Sequence, residues 1–174
     1  MRCDECGFDD SELSSDDAIA ALRRFAKRYR APLTRLLPNE DGSVLRRRPE
    51  PTTWSALEYA AHVRDVFGED ASRVRRTLDE DRPEFTDPGP DELAASRRYN
   101  DQDPVTVADE LGANAELLAS TLEAVPPDGW DRVGLRHGEE RSVLFTARVA
   151  VHEGNHHLLD VGRSLRAARD AARR

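Results

Sequence analysis

A chain of 174 residues with a formal charge of −8, 38% hydrophobic and 34% charged residues is long enough for one domain with a substantial core. The acidic balance argues against a general DNA or RNA binder, which needs a positive surface to release counterions. No apolar run reaches membrane-spanning length, and Met1-Arg2-Cys3-Asp4-Glu5-Cys6 lacks a hydrophobic signal region, so a cytoplasmic protein with no membrane partner is expected.

Low hydrophobicity with high charge fits helices with wet outer faces better than long apolar strands. Lys27 is the only lysine among many arginines, which looks like the codon bias of a GC-rich bacterial genome. The two cysteines do not make a secreted disulfide framework.

In chain order, Ser14 or Ser15 caps a first helix, with Asp16 and Asp17 in its first turn and Ile19, Leu22, Phe25, Ala26 and Tyr29 at helical spacing. Pro32 should end or bend it. Residues 38–53 read as a loop rich in Pro, Gly and charge. Ser55-Ala56-Leu57-Glu58 is a capping box, with Trp54 and Tyr59 as the two halves of a hydrophobic staple. From there Ala60, Ala61, Val63, Val66, Phe67, Val74 and Leu78 carry a second helix to about residue 80, with His62 inside it. A polar connection over 82–103 holds a short helix around 91–99. Asp103-Pro104 starts the third long helix and Pro126-Pro127 stops it. Ser142 caps the last helix. Strand signals are nearly absent, Val133–Leu135 being too short to count. Four long helices with one core predict an all-α four-helix bundle. The expected organisation is a short N-terminal segment with a Cys-x-x-Cys pair over residues 1–13, then the bundle domain over 14–174.

The last helix carries His152-Glu153-Gly154-Asn155-His156-His157. Two histidines four apart project from one helix face and offer two nitrogens to one metal ion. As letters the run is also the zinc-protease signature, with Glu153 as general base. That reading needs a downstream third ligand. Leu159 and Gly162 stand where the long protease motif has Gly and His, and no histidine follows His157, so a metalloprotease ranks last. The third ligand can come instead from His62. Glu153, Asn155 and His157 point away from the His152–His156 face, since successive helix positions are about 100° apart. Asp65 and Asp160 lie at helical spacing from histidines and could orient them through the second ring nitrogen.

The run from Trp54 to Asp65, followed far downstream by His152, His156, His157 and Asp160, resembles the DinB-like family, which also contains mycothiol-dependent maleylpyruvate isomerases and bacterial thiol transferases. The resemblance covers roughly Ser15 to Arg169. It implies a four-helix bundle holding a divalent metal, usually zinc or nickel, through His62, His152 and His156. Some members carry Glu in place of the first histidine of the last-helix pair; here that position is His152. The implied activity is metal-dependent: a low-molecular-weight thiol, mycothiol by the codon bias, is transferred to a small electrophile or isomerises it. The rival is a non-catalytic metal-binding or dimerisation module, and a homodimer is a family-level expectation. Cys3 and Cys6 form a second metal-like signal, half of a zinc knuckle. Completing it needs His137, another side chain, or a second chain.

Overall fold

A computed structural model describes residues 2–173, without the side chain of Glu12. Its long helices are α1 (Ser15–Thr34), α3 (Ala56–Asp79), α5 (Pro104–Glu123) and α6 (Val143–Ala172), with two short helices, α2 (Ser43–Arg46) and α4 (Pro90–Ser96), in the connections. The caps are those the residue types call for. Ser14, Asp103 and Ser142 each accept an amide of the first turn, and Ser55 and Glu58 close the capping box reciprocally. Pro32 lies inside the last turn of α1, which ends two residues later.

The architecture is a four-helix bundle. Helix α1 packs on α5 and α6, and α3 packs on the same two. Two of the three pairs of long helices that follow one another in the chain, α1 with α3 and α5 with α6, therefore stand on diagonals, so the connections between them cross the ends of the bundle. The core comes from one stripe of each helix. Leu22, Phe25 and Tyr29, Leu57, Val63 and Phe67, Leu111, Leu118 and Leu122, and Ala147, Ala150 and Val161 are all fully buried.

Two connections hold structure that the sequence did not announce. The 38–53 stretch contains α2, whose Val44 and Leu45 are buried. A small three-stranded sheet covers one part of the bundle: β1 (Glu84–Phe85) runs parallel to β2 (Val133–Arg136), which pairs antiparallel with β3 (Glu139–Ser142). His137 and Gly138, both at positive φ, form the β2–β3 turn. Val133–Leu135 is thus a real strand, too short to show alternation alone but completed by its pairing.

Gly154 sets how closely α1 and α6 approach. A Cβ there would stand 2.5 Å from the Phe25 ring, and the Gly154 carbonyl accepts a 2.8 Å hydrogen bond from the buried Tyr29 hydroxyl. Gly154→Ala should destabilise the protein by roughly 1–3 kcal/mol, since Phe25 has no room to retreat in a packed core. A urea titration measures this, and an unchanged midpoint would contradict the packing described.

The N-terminal segment lies along α6. The Phe8 ring is 5.3 Å from the His152 ring, Arg148 donates to the Leu13 carbonyl at 2.9 Å, and Arg163 pairs with Glu5 at 2.9 Å. Among the described residues, no helix is long and apolar enough to cross a membrane.

Candidate metal centre

Helix α6 presents the residues of its histidine-rich run on two neighbouring faces, and each face meets a different part of the chain. On the side toward α3, Glu153 and His157 stand beside His62. His62 Nε2 is 3.4 Å and His157 Nε2 is 3.3 Å from Glu153 Oε2. The donor atoms of this trio all lie within 4.8 Å of one another. On the other side, His152 and His156 stand beside Cys3 and Cys6, and those four donors also fall within 4.8 Å of one another. The structure therefore divides the residues His62, His152 and His156 between two clusters. Glu153 and His157, which sequence spacing set aside, complete the cluster around His62.

The cause is the rotation of α6 about its axis. The i, i+4 rule couples 152 with 156 and 153 with 157 equally well. Burial of Val151, Gly154 and Val161 against the bundle fixes which pair faces α3.

The trio is built from well-anchored elements. His62 sits two turns into α3, held by the capping box and the staple; Trp54 lies 5.5 Å from Tyr59 and 5.3 Å from His62. Tyr59 stacks on His157 at 5.4 Å. Ser164 of α6 donates to the Trp54 carbonyl at 2.9 Å, tying the start of α3 to the last helix.

The electrostatics belong to a cation site. Burial would raise the Glu153 carboxyl, but hydrogen bonds and charge from His157 and His62 hold it far below the usual carboxylate range. Burial would lower His157, but Asp160 and Glu153 push it up to about 9. Two imidazoles and one carboxylate match a three-ligand site with an open position, the usual form of a catalytic zinc.

Asp160 serves both clusters. Its Oδ2 is 3.0 Å from His157 Nδ1 and 3.6 Å from His156 Nε2. It therefore faces the ring nitrogen of His157 that points away from Glu153, as a carboxylate supporting a metal-bound imidazole does. Asp65 has another task. It accepts from Arg64, Arg97 and the Tyr99 hydroxyl at 2.6–2.7 Å and is tied into the packing of α3 against the connection.

The trio opens on a cleft of about 310 Å³, at the lower end of small-molecule sites. Its lining combines apolar Trp54, Val66, Pro88, Pro90 and Leu93 with charged Arg73, Arg136, Asp87 and Glu69. Asp87 accepts from Arg73 at 2.5 Å and from Arg136 at 2.8 Å.

Arg73 also serves Glu69 at 3.0 Å and the buried Asp70 at 2.6 Å. One guanidinium is shared by three carboxylates; Asp87, with Arg136 as a second partner, is held below the ordinary carboxylate range, while Asp70 is buried with Arg73 as its hydrogen-bond partner. Burial accordingly raises Asp70 to about 6 from an ordinary 3.8, although Arg73 and Arg136 pull it down. A carboxyl that holds its proton to higher pH when folded than when unfolded makes stability fall as pH rises between those two values. Asp70→Asn should therefore gain stability relative to the parent as pH goes from 4 to 6, with no further gain above. Paired urea titrations across this range check it, and a difference that shrinks with rising pH would contradict it.

A family model described as the DinB superfamily matches residues 21–161. No curated protein matches the chain. Among solved structures, YfiT from Bacillus subtilis, described as a probable metal-dependent hydrolase with an unusual four-helix bundle topology, superposes with a TM-score of 0.78 at 14% identity over 89% of each chain. At that identity the likeness is one of fold.

Proposed function

Because the chain belongs to the DinB superfamily, we propose that it is a metal-dependent enzyme whose centre is His62, Glu153 and His157, acting on a small substrate held in the adjoining cleft. The observation that carries this reading is the coincidence of an open, three-donor cluster with a cleft. Two imidazole nitrogens and a carboxylate oxygen converge at the cleft, and among the described residues no fourth donor accompanies them in that cluster.

A divalent cation bound there lowers the pKa of a water or thiol at its open position and polarises a substrate carbonyl. The protein's residues do the rest. Glu153 supplies the negative charge that offsets part of the cation's. Asp160 fixes the His157 ring so that Nε2 faces inward. Trp54, Val66 and Leu93 give the cleft apolar surface that excludes water from the substrate. Arg136, held by Asp87, brings a guanidinium to the cleft lining, suited to a substrate carbonyl or carboxylate.

Hydrolysis is the first reading. The small cleft accommodates water plus a compact substrate, and the structurally similar YfiT is described as a probable metal-dependent hydrolase. Thiol transfer to an electrophile, or isomerisation through reversible thiol addition, is the second. The motif from Trp54 to Asp65 favours it, through its likeness to mycothiol-using relatives.

The test is a paired assay of zinc- and nickel-loaded protein. One arm uses small esters and amides; the other uses electrophiles with mycothiol, bacillithiol or glutathione. Turnover that needs the metal and disappears in His62→Ala supports the reading, and the active arm decides between hydrolysis and thiol transfer. Metal binding without turnover in either arm would overturn it in favour of a non-catalytic binding module.

A further inference from the structure

We propose that Cys3, Cys6, His152 and His156 form a second, closed metal site, a four-ligand zinc centre that fastens the N-terminal segment to α6. Three independent observations carry it. First, the donor set is complete and close. All four ligand atoms lie within 4.8 Å of one another, and Cys3 Sγ is 3.5 Å from His156 Nδ1. A tetrahedral zinc with ordinary Zn–S and Zn–N bonds puts sulfur and nitrogen about 3.5 Å apart. Second, His152 Nε2 is buried with no hydrogen-bond partner among the described residues. A ring nitrogen in that position costs free energy unless something binds it. Third, the cysteine loop already has the shape of a metal knuckle. Gly7 sits at φ +70, its amide donates to the Cys3 carbonyl at 2.9 Å, and the Cys3 amide donates to the Phe8 carbonyl at 2.9 Å. Both cysteines are free thiols.

The chemistry selects the ion. Two thiolates and two imidazoles in a tetrahedron suit zinc, and the two thiolate charges neutralise it. All four protein positions are filled, so no site remains for substrate. The role is structural. It closes the loop over residues 3–6 and holds His156 against Asp160, the carboxylate that also faces His157. The site thereby supports the neighbouring centre without joining its chemistry.

Cobalt titration of the full-length, metal-freed chain tests this. The parent should develop a thiolate-to-cobalt charge-transfer band with intense tetrahedral d–d bands, saturating at one thiolate-bound cobalt per chain. Cys6→Ser should abolish that spectrum. His152→Ala and His156→Ala should each weaken cobalt binding at the thiolate site by more than the roughly tenfold that loss of a supporting contact costs. His62→Ala should leave the band intact. A parent without the band, or a band indifferent to both His152→Ala and His156→Ala, would overturn the proposal.

A measurement on the parent alone covers any variant that does not fold. Titrating as-purified protein with an organomercurial should release one zinc per two thiols blocked, and zinc release unconnected to thiol blocking would overturn the assignment. Loss of turnover in His62→Ala reports the other centre, so the two fail separately.

Discussion

Replacing Glu153 by Gln, or His62 by Ala, is expected to lower metal-dependent turnover by about three orders of magnitude, while His152→Ala changes it by less than about tenfold. Each of the first two substitutions removes one of three donors from an open site. A metal's polarising effect is worth several kcal/mol in a transition state, and about 1.4 kcal/mol corresponds to each tenfold in rate. His152 does not line the cleft; its Nδ1 lies 3.9 Å from Glu153 Oε1, not the Oε2 that meets His62 and His157, and its cluster is shared with the cysteines. The contrast matters because His62, His152 and His156 acting as one site would give the reverse order: a large loss for His152→Ala and a small one for Glu153→Gln. Steady-state rates at saturating metal, measured well below the melting temperature, distinguish the two groupings.

The second large effect is on stability. Stripping zinc from the parent, or introducing Cys6→Ser, should lower the melting temperature by about 10 °C or more. A ligand that binds only the folded chain at a thousandfold above its dissociation constant contributes about 4 kcal/mol. For a chain of this length each kcal/mol moves the midpoint by about 2–4 °C. Most of the core comes from the four long helices, with Phe8 the contribution of the N-terminal segment, so a cooperative transition should persist at the lower temperature. Differential scanning calorimetry before and after chelation checks it. A midpoint that does not move, or that moves equally in Cys6→Ser and in the parent on chelation, would contradict a stabilising role for the cysteine–histidine site.

Much of the fold is written locally. The capping box at Ser55–Glu58, the Trp54–Tyr59 staple, the Asp103-Pro104 start and the Ser142 cap are short-range signals, and each is present in the structure, the staple as a ring contact and the others as caps. The stripes of Leu, Phe and Val within the four long helices likewise identify the core. The hairpin of Val133–Arg136 with Glu139–Ser142 was not legible. Four residues with Gly134 at the centre and two adjacent glutamates in the partner carry no alternation, and the pairing with Glu84–Phe85 lies some fifty residues away.

The metal-like residues were legible as a set but not in their grouping. Reading along α6, His152 with His156 and Glu153 with His157 satisfy the same spacing, and the choice rests on how α6 is rotated against α3. The place of Gly154 decides part of that rotation, because its missing side chain lets Phe25 seat against the helix. The partner of the Cys-x-x-Cys pair was hidden for a related reason. Some 150 residues separate it from His152 and His156, and those histidines already had another use in the sequence pattern. A second clue was present in the letters themselves: His152, Glu153, His156 and His157 hold two overlapping i, i+4 pairs, one more than a single metal needs.

On this reading α6 serves two metal sites from adjacent faces. Anomalous X-ray scattering at the zinc edge from crystals of the zinc-loaded protein tells whether it does. The expected result is two peaks per chain, one enclosed by Cys3, Cys6, His152 and His156 and the other at the cleft between His62, Glu153 and His157. A single peak bound by His62, His152 and His156 together would contradict it.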